Sequence, residues 1–185
     1  MENKGTRTLE TERLLLRQFQ INDAEDMFKN WASDPEVTAF LTWPPHADAN
    51  LTRSLLADWI NRYSSPAYYN WVIELKEINE IIGNISVVML NERTEAAEIG
   101  YCMGKAWWGK AIMPEALGAV IKYLFEEVGL NRVAACHDSN NPKSGRVMDK
   151  AGMKLEGVLR AAGINNQGIC DKVWHSILKE EYEKY

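Results

Sequence analysis

The stretch that most constrains the fold covers residues 95–129, EAAEIGYCMGKAWWGKAIMPEALGAVIKYLFEEVG, which reads as a strand, a small-residue loop and a long helix in succession. Residues 95–103 suit an extended strand, with Glu98, Gly100 and Cys102 on one face and Ala97, Ile99, Tyr101 and Met103 on the other. A glutamate therefore shares a face with two small residues. Beyond the loop, Pro114 fits a first helical position, Glu115 suits the positive end of the dipole, and Gly129 supplies a left-handed stop. Leu117, Val120, Ile121, Leu124, Phe125 and Val128 recur at three- and four-residue spacing, so one face of the helix is apolar and packs on a sheet.

Between strand and helix lies Trp107-Trp108-Gly109-Lys110-Ala111-Ile112-Met113. Backbone NH groups leaving a helix start with a lysine beside them attract phosphate or another anion. On the residues alone, the loop is equally a tight turn between two packed elements, since one small-residue loop is a weak motif.

A chain of 185 residues is long enough for one domain with a real core. No apolar run approaches the roughly 20 residues of a membrane helix. Residues 1–8 are polar rather than signal-like, which leads us to expect a cytoplasmic protein with no membrane partner. Cys102, Cys136 and Cys170 sit in strand-like runs, and their odd number without paired spacing argues for reduced, mostly buried thiols. The net charge of -5 disfavours nucleic acid, whose binders carry a basic stripe.

Along the chain, residues 9–19 begin as a strand in which Leu14 and Leu16 alternate with Arg13, Leu15 and Arg17. Asn22 with Glu25 makes a capping box for a helix whose apolar face is Ala24, Met27, Phe28 and Trp31. Asp34-Pro35-Glu36 starts a short helical segment, and a longer helix spans about residues 48–63 with Leu51, Leu55, Leu56 and Trp59 inward. Residues 69–75 and 81–90 read as a hairpin. After the central strand and helix come a strand at 132–137, a helix from Asn141-Pro142 to Gly152, and strands at 153–160 and 168–178 around a polar loop at 162–167. That order predicts a single mixed α/β sheet with helices on it.

Several local patterns, taken together, resemble a known family. They are Thr11-Glu12-Arg13-Leu14-Leu15-Leu16-Arg17, Ala97-Glu98-Ile99-Gly100-Tyr101 and Trp108-Gly109-Lys110-Ala111-Ile112-Met113-Pro114-Glu115-Ala116. Further along come Leu130-Asn131-Arg132-Val133, Asn141-Pro142-Lys143-Ser144, Lys150-Ala151-Gly152-Met153, Glu156-Gly157, Leu159-Arg160 and Asp171. In order and spacing the chain resembles the GNAT N-acetyltransferases, within them the ribosomal-protein N-terminal acetyltransferase branch, over about residues 11–182.

The resemblance implies the GNAT fold, with about seven strands and four helices in one domain, and transfer of an acetyl group from acetyl-CoA to an amine. It places the CoA pyrophosphate on Trp108, Gly109, Lys110, Ala111, Ile112 and Met113, with Pro114 starting the helix, and sets Cys102 and Met103 along the cofactor, the Cys102 NH as oxyanion donor. Three departures stand out. Trp108 replaces the more frequent Gln or Arg, Ala111 replaces the first motif glycine, and Met113 replaces a small residue. Because backbone makes the contacts, the Cβ of Ala111 weakens the site without abolishing it.

An ammonium has no lone pair, so the acceptor must lose a proton, the oxyanion needs a donor, and the departing thiolate benefits from an acid. By resemblance Glu98 is the first candidate for the base; read on its own it is as well a strand carboxylate pairing with a neighbour or facing solvent. Many relatives place a tyrosine acid where this chain has Met148, which cannot donate. In the ribosomal-protein branch Ser144 fills that role and Asn141 contacts the pantetheine arm, although Asn141 is also a good N-cap and Ser144 an ordinary first-turn residue. Gly163 stands where some members carry a glutamate base.

The three histidines have no metal-site spacing: His46 reads as solvated in a Pro-rich turn, His137 and His175 as structural. No metal is expected. Trp31, Trp59 and Trp71 read as core, and Trp43 as a candidate wall of an acceptor pocket. The expected acceptor is a peptide or protein N-terminal amine. The alternatives are a small amine (polyamine, aminoglycoside or amino acid) and a non-catalytic acetyl-CoA-binding regulator, and the resemblance admits a homodimer.

Overall fold

The structure is a computed structural model describing residues 1–183. Eight strands form one sheet in the order β1-β2-β3-β4-β5-β6-β8-β7. They are β1 (Leu9–Glu10), β2 (Leu14–Arg17), β3 (Asn70–Leu75), β4 (Glu80–Asn91), β5 (Ala96–Met103), β6 (Arg132–Asp138), β7 (Lys154–Asn165) and β8 (Gly168–Leu178). Six α-helices accompany them among the described residues: α1 (Ala24–Met27), α2 (Pro35–Thr38), α3 (Ala49–Arg62), α4 (Ile112–Tyr123), α5 (Pro142–Lys150) and α6 (Lys179–Tyr182). The mixed α/β architecture expected from the sequence is therefore present, with one strand and two helices more than expected.

Every neighbouring pair runs antiparallel except β5 and β6, which are parallel and joined by α4. Their pairing covers only four rungs, from Ala96↔Arg132 to Ile99↔Ala135. Past that point β5 continues to Met103 and β6 to Asp138 without pairing to each other, so the sheet splits.

Alternation fills both faces. On one, Ile99, Met103, Val133 and Ala135 join Leu117, Val120, Ile121, Leu124, Phe125 and Val128 of α4 and its π-helical last turn, and none of these helix residues is more than 2% exposed. Each such side chain contributes roughly 1.5–3 kcal/mol on leaving water. The helix stops as the sequence indicates, at Gly129 with φ 79°. On the opposite face Val72 and Ile81 pack under Met27 of α1, Trp31 of the π-helical turn that follows it and Leu56 of α3, with Trp43, Cys102 and Trp108 at the margin.

Several expectations need correction. Residues 9–19 do not form one strand: β1 turns back on β2, with Leu9 opposite Leu16. The first helical turn is capped by Gln20 and Asp23 rather than Asn22 and Glu25, because Arg17 grips Asp23 at 2.8 and 2.9 Å and brings the start forward. In α3, Leu51 is 50% exposed and Thr52 takes the buried place beside Leu56. The loop at 162–167 shrinks to a turn, since β7 runs on to Asn165 and pairs with Gly168. Pro114 is the third residue of α4, not the first, where its missing NH still costs no helical bond. His46 is buried, with Nδ1 2.7 Å from Thr52 Oγ1. The three thiols are free but half-buried rather than buried.

Candidate active site

Several of the candidate residues lie on the elements that flank the split between β5 and β6. On the α4 side Tyr101 spans it: the phenol donates to the Ser144 carbonyl at 2.9 Å and lies 3.0 Å from Ser144 Oγ. Ser144 occupies the first turn of α5, its NH bonded to the Asn141 carbonyl at 3.1 Å. Burial raises the Tyr101 phenol well above the usual tyrosine range, so it stays protonated. The Asn141 side chain makes no capping bond, contrary to the capping expectation. Met148 is 1% exposed and packs in the core. Tyr101 was legible only as a strand residue; its pairing with α5 depends on a contact between residues 43 apart.

At the start of α4 the loop adopts two left-handed residues, Gly109 with φ 78° and Ala111 with φ 56° and ψ 22°. Alternating hands turn successive NH groups toward one side, a geometry that suits an anion. Arg13 reinforces it by donating to the carbonyls of Lys110 and Ala111, each at 3.0 Å, so those oxygens are held in place and occupied. Glu115 in turn receives Arg13 Nε at 2.7 Å and the Arg13 NH at 3.1 Å. Burial raises the Glu115 carboxyl, but these bonds and one from Thr11 outweigh it and hold the group below its ordinary value. Gly109, Lys110 and Ala111 are exposed, whereas Ile112 and Met113 are buried core anchors. Trp108 donates Nε1 to the Met103 carbonyl at 2.7 Å and lies under Lys143, whose Nζ is 5.1 Å from its ring. Trp108 and Met103 thus tie the loop to the end of β5. An exposed run of NH groups backed by a clamped frame fits a pyrophosphate.

The other face carries Glu98. It pairs in register with Ala134, and Cys136 Sγ lies 3.5 Å from its carboxylate. Burial and that carboxylate push the Cys136 thiol up to about 11, so it remains protonated. Beside Glu98 is a depression of about 190 Å³ lined by residues including Met89, Ala96, Ala134 and Trp174. Arg132 at its edge is occupied by Glu156 (2.6 Å) and Ser176 (2.8 Å). The Cys102 thiol donates to Asn84 at 2.9 Å, and burial pushes it up to about 12.

Gly163 sits where β7 bulges, and a Cβ there would meet the Lys172 side chain at 2.8 Å (Cε), so a larger residue at this position would displace that lysine. The turn beyond it closes over the split. Asn165 donates to Asp138, the last residue of β6, at 2.7 Å. Asn166 reaches the other bank, donating to the carbonyls of Thr38 (2.8 Å) and Trp43 (2.7 Å) and, through its NH, to Leu41 (3.1 Å). Trp43 is half-buried against the helical layer, adjacent to this strap. His175 is buried with Nε2 3.3 Å from Asp149, and its ring packs on His137. Among the described residues no cluster of His, Cys, Asp or Glu could hold a metal, and no helix is long and apolar enough to cross a membrane.

Comparison with known proteins gives the family of the chain. Residues 13–154 match the acetyltransferase (GNAT) domain model. The chain is 35% identical over 176 residues to the uncharacterized N-acetyltransferase p20 of Bacillus licheniformis, covering 95% of this chain and 98% of that one. It is 31% identical over 160 residues to the [ribosomal protein uS5]-alanine N-acetyltransferase of Escherichia coli, covering 80% and 79%. A solved GNAT-family acetyltransferase of Bacillus anthracis superposes with a TM-score of 0.82 at 27% identity, over 95% of this chain and all of that one. The chain belongs to the GNAT acetyltransferase family, and its reaction is acetyl-CoA-dependent N-acetylation.

Proposed function

We propose that the protein acetylates a peptide or protein N-terminal amine, with Glu98 as general base and Ser144 as the acid for the CoA sulfur. The observation that carries this reading is the placement of the two groups about one split. Glu98 lies at its closed end on one face, and Ser144 at the head of α5 on the other. An amine approaching Glu98 meets a thioester carbonyl entering from the opposite side, and neither group has to serve both atoms. The loop at Gly109, Lys110 and Ala111 takes the pyrophosphate on backbone NH groups, Trp108, Ile112, Met113 and Pro114 shape it, and Asn141 faces the pantetheine arm. The Cys102 NH is the oxyanion donor, at a strand segment where pairing with β6 has ended. The likeness to the uS5-alanine enzyme supports an N-terminal acceptor. Three unpaired thiols accord with a reducing cytoplasm and one sheet accords with a single domain.

The test is CoA release with N-terminal ribosomal-protein peptides, polyamines, aminoglycosides and free amino acids as acceptors. Turnover on peptides, lost by roughly 100-fold or more in Glu98→Gln while acetyl-CoA binding persists, supports the reading. Turnover confined to small amines overturns the acceptor class, and binding without any turnover overturns the enzyme assignment.

A further inference from the structure

We propose that Tyr101 is a positioning residue that orients the Ser144 hydroxyl, leaving the serine proton free for the sulfur that departs during acetyl transfer. The inference rests on the acyl-transfer reading above and adds a residue to it. The two side chains come from elements on opposite banks of the split, β5 and α5, and meet at 3.0 Å. A phenol has one proton to give, and here two oxygens of the same residue compete for it: the Ser144 carbonyl at 2.9 Å and Oγ at 3.0 Å. When the phenol donates to the carbonyl, the serine proton points back at Tyr101. When it donates to Oγ, that proton is released toward the split. The change requires a hydroxyl rotation and no heavy-atom displacement. Burial keeps the phenol protonated, so it acts as donor throughout the working pH range. Met148 on the same helix carries no proton to offer.

The step balances as follows. The N–C bond forms and the C–S bond breaks, the amine proton passes to Glu98, and the sulfur takes the Ser144 proton. Ser144 regains its proton from water in the open part of the split while the phenol keeps its own, and Glu98 returns its proton to water, so turnover is proton-neutral from a neutral amine and releases one proton from an ammonium.

The experiment compares Tyr101→Phe, Ser144→Ala and the double variant, using acetyl-CoA and acetyl thioesters of more acidic thiols. Tyr101→Phe should lower kcat about tenfold, the equivalent of one good hydrogen bond, with KM for acetyl-CoA unchanged. Its deficit should shrink as the leaving thiol becomes more acidic, and the double variant should be no slower than Ser144→Ala. A wild-type kcat in Tyr101→Phe, or a deficit indifferent to the leaving group, overturns the proposal. Wild-type turnover in Ser144→Ala overturns the acid assignment itself, a different failure from that of Tyr101. Should Tyr101→Phe not fold, 3,5-difluorotyrosine at the same position keeps the packing. Unchanged kcat with this more acidic donor overturns the proposal, and an altered kcat supports it.

Discussion

The Arg13 guanidinium and the Glu115 carboxylate lie 2.6 Å apart, joining the turn after β1 to the first turn of α4. The same guanidinium holds the carbonyls of Lys110 and Ala111, so one side chain sets the shape of the anion loop from outside it. Arg13→Ala should cost about 1–2 kcal/mol in urea unfolding, since two carbonyls and a carboxylate lose partners. It should also weaken acetyl-CoA binding. Arg13→Lys supplies the charge without the planar fork and should recover only part of either loss. Calorimetric affinity unchanged in Arg13→Ala would detach the clamp from the site.

Ala111 carries a backbone conformation that suits glycine better, with φ 56°. A left-handed non-glycine residue costs roughly 1–2 kcal/mol, and glycine in the unfolded chain returns roughly 0.4–1 kcal/mol of that as entropy. Ala111→Gly should therefore raise stability slightly, by about 0–1.6 kcal/mol on these opposing figures. Acetyl-CoA binding should be equal or tighter. Net destabilisation in thermal melts would show that the Ala111 methyl makes compensating contacts.

Glu156 is held down to about 2 by its bonds from Arg132 and Ser176, despite a small opposing effect of burial. A depressed carboxyl contributes stability that is present above its unfolded value, near 4.5, and is lost as pH falls through about 2. Unfolding midpoints measured from pH 5 to 2 should thus decline, and the decline should be shallower in Glu156→Gln. Half-exposed as this pair is, the difference will be modest. Parallel acid profiles for the two proteins would rule out Glu156 as a contributor.

Asn166→Ala removes two of the three hydrogen bonds by which the β7–β8 turn grips the end of α2 and the segment after it. Amide exchange at residues 163–168 should accelerate, while β3 and β4 stay protected. Acceptor KM should change more than KM for acetyl-CoA, because the strap crosses the Glu98 side of the split. Equal exchange in both proteins would mean that the turn holds without the clasp.

Much of this was legible in the residues because the signals are local. The apolar stripe of α4, its stop at Gly129 and the two faces of β5 follow from spacing alone. The fold order followed from the same periodicities. What escaped was set by specific side-chain bonds that no periodicity encodes: Arg17 moves a helix start by gripping Asp23, and Thr52 displaces Leu51 by bonding to His46. The same limit hid Tyr101. Its strand position was clear, yet its meeting with Ser144 depends on where β5 and β6 part, and no spacing encodes that. Glu115, which its place at the helix start marks as a dipole partner, is engaged mainly by Arg13.

The four parallel rungs between β5 and β6 have a mechanical consequence. On one side of them lies a continuous antiparallel ribbon from β1 to β5, and on the other a three-stranded one of β6, β8 and β7. The main-chain seam between these two plates is thus four rungs long, with α4 joining its two strands. A group lodged in the open part of that seam would touch both plates at once, bridging them where main-chain bonds do not.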